Sequence, residues 1–194
     1  AGMLSKIFVL GDRSGKSGKH QQAFALANEK EYLVNDGILN KYVGIIDWLS
    51  EHTPWPRSRL KNSIHDMAWT MGYLDQKSQT NKGTLNKVNG VSLKNDPHKA
   101  RGKRGGVLLW EEMGKFPGLL TAWDIARPSV EQGDKVFGLM VAFGTGGTKD
   151  ANFDAAEEMF YHPVGYNILD LHNVYDKNTT VSQRCAFFHP EYIN

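Results

Sequence analysis

What this 194-residue chain lacks narrows its class first. It has one cysteine, Cys185, so neither an internal disulfide framework nor a Cys-rich zinc site is available. Its seven histidines, at 20, 52, 65, 98, 162, 172 and 189, show no HxxxH or other paired metal spacing and read as surface or structural. No apolar run approaches the roughly 20 residues of a membrane helix. The start, Ala1-Gly2-Met3-Leu4, has neither a basic region nor a cleavage pattern. Internal repeats and low-complexity tracts are absent. An excess of one charge is missing too: 23 Lys+Arg face 21 Asp+Glu, a net charge of +2. That is too little to argue for nucleic acid, so any such case must come from local clusters. The default expectation is an intracellular, reduced protein with no membrane association.

What is present is ordinary globular composition, 40% hydrophobic and 23% charged, on a chain long enough to bury a core. Length suggests one domain. Residues 3–10 (MLSKIFVL) are apolar with no helix start signal before them, and the C-terminal FFHPEYIN stops in mid-pattern. The expectation is a piece of a longer protein, incomplete at its N-terminus; a short protein with frayed ends is the alternative.

Along the chain, Gly/Ser/Lys-rich residues 11–19 read as loop and 20–27 as a strand. Residues 28–51 carry a helical period in Tyr32, Leu33, Ile38, Leu39, Val43, Ile46 and Leu49, interrupted at Asn35-Asp36-Gly37 and ended by Thr53-Pro54-Trp55-Pro56. Residues 57–83 are polar with a few large aromatics, with a turn or exposed tip over 75–83; the stretch 53–93 reads as an insertion or irregular subregion. Leu85 to Leu93 suggests a strand, and Lys94 to Gly106 a basic loop. Val107–Trp110 and Val136–Phe143 are continuous apolar runs separated by a helical stretch at 119–131, the pattern of buried parallel strands. A helix over 151–160 and strands over 164–171 and 182–188 follow, with Cys185 an inert core thiol. Trp48, Trp55, Trp69 and Trp123 read as core or interface anchors. The alternation predicts an open α/β sheet, mostly parallel and flanked by helices.

In such sheets, ligands sit at the carboxyl ends of the strands. One end carries Glu111-Glu112 directly after Val107–Trp110. One carboxylate can hold the water shell of Mg2+ and the next can orient and deprotonate an attacking water, the Walker B logic of P-loop ATPases. A favourable helix start would use the same residues. The other end carries Gly144-Thr145-Gly146-Gly147-Thr148. Its glycines admit close backbone approach and its threonines offer hydroxyls; a flexible turn is the alternative. The order of the two features matches the surroundings of a nucleotide γ-phosphate. Before them lies the cluster Lys99, Arg101, Lys103, Arg104. Arg101 or Arg104 could act as an arginine finger across a subunit interface, and Lys99 and Lys103 could touch phosphate or a nucleic-acid backbone. A solvated loop would look the same.

The segment Gly11-Asp12-Arg13-Ser14-Gly15-Lys16-Ser17 is close to the phosphate-cradling GxxxxGK[ST] but one residue short between its glycines. If it were a P-loop, KIFVL would be the strand before it. The preferred reading makes residues 3–10 the end of a helix that follows a P-loop lying upstream, with 11–19 an ordinary connection.

Residues 99–148, KARGKRGGVLLWEEMGKFPGLLTAWDIARPSVEQGDKVFGLMVAFGTGGT, resemble the ATPase domain of large terminase subunits, the DNA-packaging motors of tailed bacteriophages, most of all those of Bacteroidetes phages and prophages. EKEYLVNDGILNK (29–41) and FFHP (187–190) fit the same resemblance. It implies a RecA-like P-loop ATPase fold over 1–194 and a Mg-ATP site. By that resemblance, Glu111 coordinates Mg2+ through water, Glu112 is catalytic, Gly144 to Thr148 couple hydrolysis to movement, and Arg101 or Arg104 is the finger. It also implies a homo-oligomeric ring working with double-stranded phage DNA, portal protein and small terminase subunit in the host bacterial cytoplasm. Two departures stand out: the first acid is Glu rather than Asp, and Walker A is absent or degenerate. The C-terminal nuclease domain of terminases is not in these residues. A non-catalytic nucleic-acid-binding or assembly module, or another P-loop translocase, remains the competing reading.

Overall fold

The computed structural model describes residues 1–11, 20–54, 58–133, 135–144 and 154–162. The chain divides into two compact units, Ala1–Asn152 and Phe153–Asn194. The first unit contains α1 (Gly2–Leu10), β1 (Gln22–Ala27), α2 (Glu31–Val34), α3 (Ile38–His52), β2 (Arg59–Ser63), β3 (Ala68–Met71), β4 (Tyr73–Asp75), β5 (Thr80–Lys82) and β6 (Lys87–Ser92). It continues through β7 (Val107–Trp110), α4 (Leu119–Ala126), β8 (Glu131–Gln132), β9 (Lys135–Val136) and β10 (Leu139–Ala142). The described part of the second unit is α5 (Asp154–Tyr161), at the helix expected over 151–160. The strands expected over 164–171 and 182–188, and Cys185, lie outside the described residues.

Six strands form one sheet in the order β10-β7-β1-β6-β3-β2. The four from β10 to β6 are parallel; β3 pairs antiparallel with β6, and β2 antiparallel with β3. The predicted α/β class and mostly parallel sheet are therefore what is found. A strand with neighbours on both sides and helices over both faces must be apolar throughout. Accordingly, β7 (VLLW) is buried along its whole length. On one face Ala23, Ala25, Ala27, Val107 and Leu109 pack under Leu4, Ile7 and Phe8 of α1 and Leu39, Tyr42 and Ile46 of α3. Tyr42 sits edge-on between Phe8 and Trp69, with ring centroids 5.8 and 5.2 Å away. Successive side chains alternate across a strand, so Trp110 points to the other face, where it meets Trp123 of α4 at 5.7 Å.

Helix α1 runs against the direction of the parallel strands. Its last turn lies at their amino ends, where the Phe8 carbonyl accepts from Asn86 Nδ2 (3.3 Å) just before β6. Its N-cap, Ala1, lies within electrostatic reach of Glu111, just past the carboxyl end of β7.

Several elements differ from the sequence reading. Residues 3–10 lie in α1, the helix that the preferred reading expected, so the strand that a P-loop at 11–17 would follow under the other reading is not there. The interruption at 35–37 is real: a Cβ on Gly37 would sit 1.9 Å from the Tyr32 carbonyl oxygen, so the chain closes tightly there before α3. The stretch 53–93 is not an irregular subregion, since β2 and β3 extend the main sheet beyond β6. β2 is an edge strand, which favours charged residues such as Arg59 and Lys61 over apolar alternation, and this hides it from a periodicity search. The expected tip over 75–83 is the β4–β5 hairpin. Helix α4 stops at Ala126, where Pro128 enters a 3-10 turn over Arg127–Ser129. The apolar run at 136–143 is a main-sheet strand only from Leu139, because β8 and β9 form a small hairpin before it and leave Val136 and Phe137 exposed. Trp69 and Trp123 are buried, whereas Trp48 is 56% exposed and stacks on His52, so it is not a core residue. Trp55 lies outside the described residues. Among the described residues, no helix is long and apolar enough to cross a membrane.

Candidate active site

The chain turns around β1. It leaves β1 for β6 on one side, returns to β7 on the other, and continues outward to β10. Oppositely directed connections open a crevice at the carboxyl ends of such strands. Glu111 follows β7 into that crevice, where its N–H donates to the Leu26 carbonyl of β1 (2.8 Å).

Glu111 is half-buried, and its Oε2 is buried with no hydrogen-bond partner. Burial, and then the charge of Glu112, push the Glu111 carboxyl above its usual range, while Lys41 opposes the shift. A carboxylate stripped of water and crowded by a second one is a ready acceptor for a cation.

Glu112 has a left-handed backbone, φ 51° and ψ 48°. For a non-glycine residue this costs about 1 kcal/mol. Strain of this kind persists where the surroundings enforce it. Here β10 does so: the Phe143 N–H donates to the Trp110 carbonyl (3.0 Å), and the Met113 N–H returns to the Phe143 carbonyl (3.1 Å). These two bonds bracket the acidic pair. Gly144 follows at once, and a Cβ on it would lie 3.1 Å from the Met113 nitrogen and 3.3 Å from the Glu112 Cα. The first residue of the Gly/Thr tip therefore packs on the backbone of the second acid. Thr145, Gly146, Gly147 and Thr148 lie outside the described residues.

The basic cluster is spread out. Lys99 Nζ donates to the Leu93 carbonyl (3.0 Å), beyond the carboxyl end of β6. Arg101 follows a 3-10 turn (Pro97–Ala100) and is exposed. Lys103 and Arg104 lead into Gly105 and Gly106, whose Gly106 N–H donates to the Gln22 carbonyl (2.9 Å). That bond places Arg104 at the amino ends of the strands, the end opposite Glu111. Gly11 caps the C-terminal end of α1, with its N–H on the Ile7 carbonyl (3.0 Å), also away from the acidic pair. Gly15, Lys16 and Ser17 lie outside the described residues.

Two residues near this end were not singled out by the sequence reading. Lys41, at the start of α3, acts electrostatically on Glu111. Asn28, directly after β1, braces the crevice: its Oδ1 accepts from the Asn95 N–H (2.8 Å) and its carbonyl from the Lys94 N–H (2.7 Å) and Ser92 Oγ (3.2 Å). The position of Asn28 at a strand end was the available signal; Lys41 had none.

No group of three or more His, Cys, Asp or Glu is gathered among the described residues. The unpartnered Glu111 Oε2 nonetheless fits a hydrated divalent cation, which would need only one or two protein carboxylates.

No family model matches the sequence, and no curated protein matches it. Among solved structures, the ATPase domain of the Thermus phage P74-26 large terminase matches 75% of this chain with a TM-score of 0.51 and 15% identity. The fold resembles a phage large terminase ATPase domain. This chain spans about half of that solved chain, 53%. An arginine-to-alanine mutant of the same terminase domain gives a TM-score of 0.49 at 13% identity, covering 76% of this chain and 54% of its own. At this identity the likeness is one of fold, a RecA-like mostly parallel sheet flanked by helices.

Proposed function

We propose that this chain is part of an ATP-hydrolysing motor domain of a phage DNA-packaging terminase. The observation that carries the reading is the acidic pair after β7: a half-buried Glu111 with an orphaned oxygen, and a strained Glu112 held by β10. In this reading Glu111 holds Mg2+ through water, and the ion, when bound with ATP, neutralises charge developing on the phosphates. Glu112 orients the attacking water and accepts its proton. Gly144 to Thr148 couple hydrolysis to movement through the backbone of Glu112. Arg101, exposed after the 3-10 turn, is the candidate finger for a neighbouring copy in a ring. Lys99 reaches a backbone carbonyl, so it orders the loop before Arg101 rather than touching phosphate. Double-stranded DNA, portal protein and small terminase subunit are the partners this activity requires.

The test is Mg-ATP turnover and nucleotide binding by a longer chain with the residues upstream of Ala1 restored, and by its Glu112→Gln variant, because the phosphate-binding loop is expected upstream. Turnover lost with binding kept supports the reading. An unchanged rate would remove Glu112 from catalysis. Steeply salt-dependent duplex binding with no nucleotide binding would make the chain a nucleic-acid-binding module instead.

A further inference from the structure

The amino ends of the parallel strands hold a feature that the hydrolytic site does not use. A basic side chain or a histidine stands at or within four residues before each strand start. Lys87 is the first residue of β6, and its N–H donates to the Gln21 carbonyl (2.8 Å). His20 precedes β1, and its N–H donates to the Thr84 carbonyl (2.8 Å). Lys103 and Arg104 precede β7, tied to Gln22 through Gly106. Lys135 precedes β10, whose Leu139 N–H donates to the Gly106 carbonyl (3.0 Å). Gly105 and Gly138 touch here, since a Cβ on Gly138 would lie 2.8 Å from the Gly105 carbonyl oxygen. These backbone links make one continuous line from Lys87 to Lys135. His20, Lys87, Arg104 and Lys135 are exposed, and Lys103 is half-buried. With adjacent strands about 4.8 Å apart, four strand starts span roughly 14 Å.

Three of the described acids towards this end are engaged. Asp47 pairs with Arg59 (2.7 Å), Asp75 with Lys82, and Glu131 with Arg127. Glu51 is exposed but belongs to the last turn of α3, in the helical layer. Asp12 and Asp134 lie outside the described residues. Among the described residues, Lys87, Lys103, Arg104 and Lys135 are in no ion pair.

We infer that this row, Lys87, His20, Lys103, Arg104 and Lys135, is a docking surface for the phosphate backbone of a nucleic-acid duplex. The charge arrangement selects the partner. A duplex offers a continuous line of charge, about one per 1.7 Å of axis. A second copy of this chain offers at that site only a compact acidic pair, of which Glu111 is half-buried. The contacts are to phosphate, so binding is independent of sequence. Arg104 belongs to this row and not to the nucleotide. The choice of a duplex as the polyanion rests on the packaging reading above, while its test does not depend on hydrolysis.

The experiment measures the affinity of the full chain for duplexes of two unrelated sequences from 50 to 200 mM salt. Lys87→Ala, Arg104→Ala and Lys135→Ala are each expected to lower the slope of log K against log[salt] by about 0.9, and the triple variant by about 2.7, equally on both duplexes. Lys94→Gln, beyond the carboxyl end of β6, leaves the slope unchanged. Absence of duplex binding at 50 mM salt, or an unchanged slope in the triple variant with its melting temperature intact, overturns the inference. Val136 and Phe137, exposed beside Lys135, separate this surface from a protein interface. Loss of self-association in Val136→Ser/Phe137→Ser, together with an unchanged duplex slope in the triple variant, would assign the face to another copy. If Glu112→Gln proves indifferent for hydrolysis while the triple variant still loses its slope, the surface stands and the hydrolytic reading falls.

Discussion

The two ends of the parallel strands solve different problems with the same backbone. At the carboxyl ends of β7 and β10, charge of one sign is crowded, half-buried and held on a strained residue. At the amino ends, charge of the other sign is exposed and strung along consecutive strand starts. Burial makes a few charges chemically potent, because water no longer screens them. Exposure makes many charges individually weak and collectively effective against a polyanion. The overall charge of +2, 23 Lys+Arg against 21 Asp+Glu over the whole chain, conceals this division.

The comparison breaks most readily at the carboxyl end. In a longer chain with the upstream residues restored, Glu112→Gln is expected to lower Mg-ATP turnover by about 10²–10⁴-fold, the usual worth of a positioned general base, with the salt slope for duplex binding unchanged. Steady-state turnover beside a duplex titration checks both halves. Gly144→Ala comes next. Its methyl would press on Met113 and Glu112 by a few tenths of an ångström. A misplaced catalytic group loses rate steeply, so a drop of about tenfold in kcat with little change in nucleotide affinity is expected. An equal loss in kcat and affinity would point to general damage.

Stability sharpens the contrast further. The Glu111 carboxyl is raised above its ordinary 4.5 by burial. Its ionised form therefore costs stability above the folded-state value, and that cost fades as pH falls to the ordinary value. Glu111→Gln should melt higher than the parent at pH 7, and the difference should vanish below about pH 4, where both side chains are neutral in either state. A constant offset in melting temperature from pH 4 to 7 would deny the burial effect. The smallest effect belongs to the core between the ends. The Tyr42 hydroxyl is buried without a partner. Burial also pushes its ionisation far upward. Tyr42→Phe should be neutral or stabilising by up to about 1 kcal/mol, roughly 2–4 °C, with turnover and salt slope untouched.

Much of this arrangement was legible in the residues. VLLW followed by two acids, and a second apolar run followed by a Gly/Thr tip, pointed to the parallel core and the crevice, because buried parallel strands must be apolar on both faces. β2 was not legible, since an edge strand rewards charge instead of alternation. The helical state of residues 6–10 was ambiguous, because a short apolar run suits either a buried strand or a buried helix face. The cation row was invisible for another reason. Its members are scattered from position 20 to 135, and only the parallel register brings them together. Glu112 was visible as an acid but not as a strained one, since its left-handed backbone is imposed by Phe143 across the strand pair.

The most direct test of the proposed catalytic end is Glu112→Gly, followed by melting temperature and Mg-ATP turnover on the same sample. Glycine adopts the left-handed conformation freely, so relief of about 1 kcal/mol of strain should offset the loss of the side chain and keep or raise stability. Turnover should collapse at the same time. A variant that melts no lower than the parent and still hydrolyses ATP at the parent rate would contradict the assignment of Glu112.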